Sequence, residues 1–357
     1  MEGKPPAGVL REYPPYTMDA NKRSLNTQTI LRGLRIVLGL ILLVFALKDA
    51  NWIELRKSVT AANLTWLLLA LGIVVLGLVL KIWRWATLLD NFGIKNPLGL
   101  VSQAYLAGQA ANILLPIRGG ELVRVGMLGK GEANNLARIA GTIALEKFLD
   151  LLALTGLTIL VLPSLRSIGS HYGSLKYGYH YIPQGLVIFA FAGIAFLVLY
   201  VFWATRIWSS IKNKAQRSHS PWIVRTVGVI GQFIESSNWL KDWRKMLASS
   251  LITLVIWSLM WATNLAAFKS VHLNADPLLA GLVLTLVYIG LIPALMPGNI
   301  GPFYFFAQLA LRAFAIPFEQ ALAFAILLHA VVTLPVLVIG GVILLASGRK
   351  RRYYSVI

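Results

Sequence analysis

Residues able to handle a charged group are concentrated in two short stretches of this chain. The first, Asn112-Ile-Leu-Leu-Pro-Ile-Arg-Gly-Gly-Glu-Leu-Val-Arg124, sets a helix break among three charges. Pro116 removes a backbone donor, and Gly119-Gly120 admits backbone shapes closed to other residues. A helix restarting near Glu121 would present free N–H groups and a partial positive charge to the break. Arg118 lies just before that restart and Arg124 one turn into it, so the stretch suits an anionic group such as a lipid phosphate. Glu121 would either hold Arg124 through an i, i+3 pair or rest on the helix dipole. The plainer alternative is that Arg118 and Arg124 mark an ordinary loop on the basic side of a membrane.

The second stretch, Glu146-Lys-Phe-Leu-Asp150, lies inside the apolar run 139–162. Glu146 and Asp150 are four apart and share a helix face. A lone carboxylate in a membrane costs about 2.5–3.5 kcal/mol on insertion scales, so both are expected to face the interior. They are expected to pair with Arg118, Arg124 or Lys147, or to be protonated. A structural ion pair that sets helix register and a proton-linked or headgroup-contacting site are both open.

Farther on, Ala294-Leu-Met-Pro-Gly-Asn-Ile-Gly-Pro-Phe303 repeats the Pro-x-x-x-Gly break without a formal charge. Pro297 and Gly301 carry the repeat, Pro302 is expected at the first position of a restarting helix, and Asn299 can donate and accept at the break. His329, in Ile326-Leu-Leu-His-Ala-Val-Val, is either a packing hydrogen bond or a titrating group. Arg84, in Trp83-Arg-Trp85, is expected as an interfacial anchor rather than a ligand contact.

The elements that position these residues must lie in lipid. Hydrophobic residues make up 57% of the 357 and charged residues 13%, and mean hydropathy is +0.70. Soluble domains carry about 25% charged residues. The expected fold class is therefore all-α, a polytopic integral membrane bundle of about eight spans with Pro/Gly-broken or re-entrant helices. A span needs about 20 mostly apolar residues, and the runs 31–47, 62–80, 139–162, 182–204, 247–268, 278–296 and 318–346 qualify approximately. The shorter runs 98–115 and 303–316 abut the breaks and read as half-helices, the first re-entrant and the second crossing. Paired discontinuous helices in the two halves of a membrane protein point to a transport site.

The chain has no Cys, and its five His residues are scattered, so no metal site or cofactor is implied. The net charge of +19 resides in the tails and alternate loops, which suits orientation in an anionic membrane and not nucleic-acid binding. The basic segments place both termini on the cytoplasmic side of a cell membrane (plasma or inner), multi-pass. Residues 1–30 read as a flexible cytoplasmic tail, 31–347 as the membrane domain with a basic cytoplasmic loop at 205–246, and 348–357 as a basic cytoplasmic tail. Within that loop, Trp222, Trp239 and Trp243 fit either an interfacial amphipathic helix or a solvated linker.

Taken together, the Lys-Ile-Trp-Arg-Trp end of the second span, the Asn-x-x-x-Pro-x-Arg-x-Gly-Glu-x-x-Arg break, the Glu-x-x-x-Asp span and the late Pro-Gly-x-x-Gly break resemble the lysylphosphatidylglycerol synthase transmembrane-region family, also described as flippase-like membrane domains. The likeness covers roughly residues 30–347. It implies a domain that moves, or helps move, a phospholipid or polyprenyl-linked lipid between leaflets. The functional positions it implies are Asn112, Pro116, Arg118, Gly120, Glu121, Arg124, Glu146, Asp150, Pro297 and Gly301. Tyr304 stands where the pattern commonly continues to an acidic residue, and His329 where the last span often carries Arg. An Arg–Glu interaction between the late elements is therefore not expected. Only a short basic tail follows residue 347, so neither lysyl transfer nor glycosyl transfer by an appended domain is expected.

The expected function is a lipid flippase or lipid-transport protein whose partners are membrane lipids with an anionic or phosphate-bearing headgroup. Two alternatives come from other classes. One is an intramembrane enzyme acting on a lipid-linked phosphate or sugar, with Glu146 or Asp150 as acid or base. The other is a scaffold of a lipid-synthesis assembly.

Overall fold

A chain this apolar can satisfy its backbone in lipid only by helices or a closed barrel, and among the described residues every regular element is a helix. The computed structural model describes residues 18–115, 119–129, 133–163, 181–202, 243–273, 276–293 and 296–354. The helices are α1 (Met18–Leu47), α2 (Trp52–Thr60), α3 (Leu64–Asn91), α4 (Leu98–Leu114), α5 (Gly120–Leu128), α6 (Ala133–Val161), α7 (Tyr181–Phe202), α8 (Trp243–Ser270), α9 (Pro277–Leu291), a 3-10 turn (Pro297–Asn299), α10 (Ile300–Arg312) and α11 (Phe318–Tyr354). By length and apolarity α3, α8 and residues 318–346 of α11 can each cross a bilayer, and α1 joins α2 through an 85° bend. Large apolar side chains on α1, α3, α7, α8 and α11 stay exposed, as an outer face bathed in lipid requires.

The ends of these helices are written in the sequence. Asn51 and Asn63 accept backbone N–H bonds at the starts of α2 and α3, and Asp276 caps α9 with Pro277 in its first turn. Beyond the Phe92 cap of α3, Gly93 turns the chain with a φ of +68° open to glycine at little cost, and Ile94 N–H returns to the Leu89 carbonyl. Several boundaries differ from the sequence expectation. Helix α1 begins at Met18, so residues 18–30 are helical where a flexible tail is expected, and α11 runs to Tyr354 through the basic tail. Helix α3 continues past residue 80 to Asn91, which puts Lys81 and Arg84 on a helix and not beyond a span.

Two helical hairpins organise the interior. In α4–α5, Gly120 lies against Gly108 and Asn112, while Arg124 lies against Gly108 and Tyr105, so the helices run antiparallel. Both open toward the end of the bundle where α3 stops, and Leu128, Val101 and Ile94 share a core cluster there. In α9–α10, Gly290 is pressed against Phe306. Helix α9 starts beside α8, where Trp261 Nε1 donates to the Pro277 carbonyl, and α10 runs back toward the turn from which α11 begins. Gln320 of α11 donates to the Val271 carbonyl at that same end.

The two hairpins therefore enter from opposite ends of the bundle, and the 297–299 turn at the tip of the second packs against α4. Helix α10 runs parallel to α1, with Gly301 against Gly39 and Gln308 Nε2 donating to the Ala46 carbonyl. Helix α11 closes the bundle across α4 through Gly340, which meets the Leu106 carbonyl.

Such close approaches are easily tested. A side chain at Gly120 would overlap the Gly108 carbonyl, whereas Gly72 of α3 has open space around it. Gly120→Val is expected to cost about 1–3 kcal/mol by overpacking, and Gly72→Ala to be neutral or mildly stabilising, by up to about 1 kcal/mol. Thermal unfolding in detergent micelles checks both, and equal midpoints for the two variants would refute the tight α4–α5 contact.

Candidate functional site

The charged residues of the two motif stretches come together in one buried network between α3, α5 and α6. Arg124 and Glu146 are each 2% exposed. Arg124 Nη1 donates to Glu146 Oε1 at 3.3 Å and Nη2 to Oε2 at 2.7 Å, a forked pair. The guanidinium also lies against two rings, its carbon 3.9 Å from the Trp85 ring centre and 4.6 Å from that of Tyr105. Planar stacking and a bidentate fork are properties of arginine that lysine lacks. Trp85 is itself fixed by its Nε1–H bond to Thr142 Oγ1 at 3.0 Å.

One turn deeper on α6, Asp150 accepts from Arg84 Nη1 at 2.8 Å and Nη2 at 3.2 Å. Arg84 Nη1 also donates to Thr253 Oγ1 of α8 at 2.9 Å, and Trp257 Nε1 reaches Asp150 at 3.4 Å. Arg84 Nη2 lies 3.9 Å from Glu146 Oε1, which links the two pairs into a chain. Its members differ in access: Arg84 and Glu146 are sealed, whereas the Asp150 side chain is 30% exposed. The Nε–H groups of Arg84 and Arg124 are buried and unbonded. Arg84 sits about 10 Å along the axis from the end of α3, and Asp150 about 18 Å from Arg138 on α6, both well inside the bundle.

At the first break, Asn112 Oδ1 accepts from Gly120 N–H at 2.8 Å, and Asn112 Nδ2 donates to Glu121 Oε1 at 3.2 Å. A side chain from α4 thus caps the restarting helix, and the Gly120 donor that the sequence leaves free is already bonded. Glu121 does not hold Arg124. It faces Lys147 at 3.5 Å, because Arg124 lies on the buried face of α5 and turns to Glu146. Pro116 and Arg118 lie outside the described residues, as do Trp222 and Trp239 of the basic loop.

The second break has a different character. Gly298 and Asn299 both have positive φ, 68° and 55°, and Asn299 makes no side-chain capping bond. Pro297 starts the 3-10 turn. Helix α10 restarts at Ile300, so Pro302 falls at its third residue, still within the first turn where no N–H is needed. Gly301 is buried against the Gly39 carbonyl and the backbone of Leu43. The free Gly298 carbonyl is met by His329 Nε2 at 2.9 Å, while His329 Nδ1 lies 3.4 Å from the Tyr304 hydroxyl. The two departures from the family pattern are thus neighbours. His329 serves the packing role: it satisfies a carbonyl orphaned by the kink.

The sequence left Arg118, Arg124 and Lys147 open as partners of Glu146 and Asp150, of which the structure pairs Arg124 with Glu146; it missed Arg84 as the partner of Asp150, and with it the framing residues Trp85, Tyr105, Thr253 and Trp257. Arg84 is no interfacial anchor, being 1% exposed. A signal existed: Gly77, Lys81, Arg84, Trp85 and Leu88 recur at helical spacing, so the helix continues past its first charge with that charge facing in.

A multi-pass helical bundle with inward-facing charge pairs and two opposed broken hairpins defines this chain as an integral membrane protein. The model of the family described as "Lysylphosphatidylglycerol synthase TM region" matches residues 32–340, and the chain belongs to that family. It is also similar to the protein named "Glycosyltransferase AglD" of Haloferax volcanii, at 24% identity over 343 residues, 88% of this chain and 54% of that protein. The chain thus spans about half the length of that curated relative.

Removing one half of the sealed pair should expose its value as a pair. Glu146→Ala strands the Arg124 charge and is expected to cost about 3–5 kcal/mol, whereas Arg124→Met with Glu146→Leu should recover most of it. Unfolding midpoints in detergent decide this. A double variant no more stable than Glu146→Ala would mean that the cavity and not the stranded charge sets the cost.

Proposed function

We propose that this protein binds a phospholipid or polyprenyl-linked lipid and carries its phosphate-bearing headgroup between the leaflets of a cell membrane, with the basic ends of the chain on the cytoplasmic side. The observation that supports the reading most directly is the chain Arg124–Glu146–Arg84–Asp150, held inside a lipid-facing bundle. A phosphate offers a guanidinium the same two-oxygen fork as a carboxylate. Asp150 is the accessible end of the chain, so a headgroup arriving there would compete for Arg84 first. Arg124, clamped by Trp85, Tyr105 and Glu146, would hold α5 and α6 in register and not touch the lipid. Membership of the family and the lipid-exposed outer surface support the same reading.

Leaflet translocation of fluorescent lipids in proteoliposomes tests it, with wild type compared with Asp150→Asn and Arg124→Ala. Translocation by wild type, reduced about tenfold or more in Asp150→Asn as a charge-assisted contact is lost, is the expected result. Arg118→Ala tests the first break in the same assay. No movement by folded wild type across a panel of anionic and polyprenyl lipids would overturn the reading. A chemically altered lipid recovered from that incubation would favour the intramembrane enzyme instead.

A further inference from the structure

A cavity opens at the α3–α4 turn, and no member of the charge network lines it. It holds about 710 Å³, a size that accommodates a small ligand or a lipid headgroup. Leu89, Ile94 and Val101 line it from the buried core. Trp83 and Leu98 form an apolar wall, 56% and 58% exposed. Asp90 and Lys95 stand on its exposed rim. Trp83 is about 12 Å along α3 from Asn91, the last residue of that helix. Charge at the end of the bundle, with exposed apolar surface deeper in, is the order of groups in a leaflet phospholipid.

The polar lining of this cavity calls for an anion. Lys95 supplies a cation. Pro97 and Leu98 bring the start of α4 to the cavity, and no side chain caps that helix, so its first N–H groups and positive dipole end have no side-chain partner. Asn91 lines the cavity as well, and its Nδ2 is sealed from solvent without a hydrogen-bond partner. Buried donors are almost always paired, so this one is matched to an acceptor that the chain does not provide. Asp90 adds the opposite sign. Among the described residues neither Asp90 nor Lys95 takes part in an ion pair, so one rim offers an open cation and an open anion. A purely anionic headgroup would meet repulsion from Asp90, whereas a zwitterion meets both charges.

We propose that this cavity binds the headgroup of an aminophospholipid, a phosphate joined to a primary ammonium, as in phosphatidylethanolamine. The phosphate lies toward the start of α4, Asn91 and Lys95, the ammonium donates to Asp90, and the acyl chains run along Trp83 and Leu98. The site is separate from Asp150 and does not depend on the transport reading above.

Native mass spectrometry of the wild-type protein released from detergent micelles tests this, with phosphatidylethanolamine, phosphatidylglycerol and diacylglycerol of matched chains as the titrants. Phosphatidylethanolamine is expected to bind about tenfold or more tightly than phosphatidylglycerol, with diacylglycerol weaker than both. No preference between the two phospholipids, or diacylglycerol binding as tightly as phosphatidylethanolamine, would overturn the proposal. Phosphoethanolamine without chains is expected not to displace the lipid at equal concentration. Displacement by it would assign the site to a free phosphate compound and overturn the lipid assignment.

Substitutions at the exposed rim locate the site without disturbing the core. Lys95→Gln should weaken both phospholipids about tenfold or more, and Asp90→Asn should abolish the preference for phosphatidylethanolamine while keeping the phosphate contact. Lys48→Gln, beyond α1 at the other end of the bundle, should bind as the wild type does. Phosphatidylethanolamine affinity unchanged in both rim variants, or lowered as much in Lys48→Gln, would overturn the assignment to this cavity. Binding that follows the expected pattern in a protein that translocates no lipid would keep the site and discard the transport reading.

Discussion

An arginine and a carboxylate withdrawn from water inside an apolar bundle can persist only as a pair, and the Arg124–Glu146 fork is the constraint around which the interior is arranged. It ties α5 to α6. The aromatic clamp on the same guanidinium ties α5 to α3 through Trp85 and to α4 through Tyr105. One buried charge therefore fixes the relative positions of four helices. Each would otherwise be free to slide, because van der Waals packing between apolar helices in lipid discriminates poorly among registers. The Trp85 bond to Thr142 repeats the α3–α6 link with a neutral pair at the same depth. Burying the pair carries a desolvation cost, and the return is geometric specificity more than net stability.

The hairpins follow from the same logic applied to backbone groups. A helix that stops inside lipid leaves carbonyls and N–H groups with no water, so each break here is closed by a side chain from elsewhere. Asn112 meets Gly120 N–H at the first, and His329 meets the Gly298 carbonyl at the second. The closures differ in consequence. Asn112 joins the two arms of a single hairpin and passes its remaining donor to Glu121, so the first break is linked to surface charge through Lys147. His329 joins the second hairpin to the last helix through the Gly298 carbonyl and its contact with Tyr304. Charge is thus concentrated on the α3–α5–α6 side, and the second hairpin contributes shape and close packing.

The all-helical membrane architecture was legible in composition alone, and both breaks were legible in their Pro/Gly spacing. That Glu146 and Asp150 face inward followed from the cost of leaving either in lipid, but which of Arg118, Arg124 or Lys147 each would meet did not. What the sequence concealed was the other half of the network. Lys81 and Arg84 look like the flanking charges that end a span, because a window scan treats a charge as a boundary. Only the continued inward stripe to Leu88 distinguishes a helix that carries its charges inside. The i, i+3 spacing of Glu121 and Arg124 misled for a related reason: local spacing permits a pair, but burial of one face of α5 decides which partner the arginine meets. The opposed entry of the hairpins could not be read at all, since it depends on which ends of α4, α9 and α11 are brought together.

Within the network, sealing and access are separated by one helical turn. Glu146 is closed on every side, and Arg124 with it, so that pair can set geometry but cannot exchange partners without unpacking Trp85 and Tyr105. Asp150, one turn on, keeps 30% of its side chain open, and its guanidinium partner is held by Thr253 as well. An anion at this end would find Arg84 already oriented by Thr253 of α8. A rigid pair thus backs a more accessible one. The sealed pair holds α5 to α6, and the pair one turn on is the end of the network that solvent or a ligand can reach.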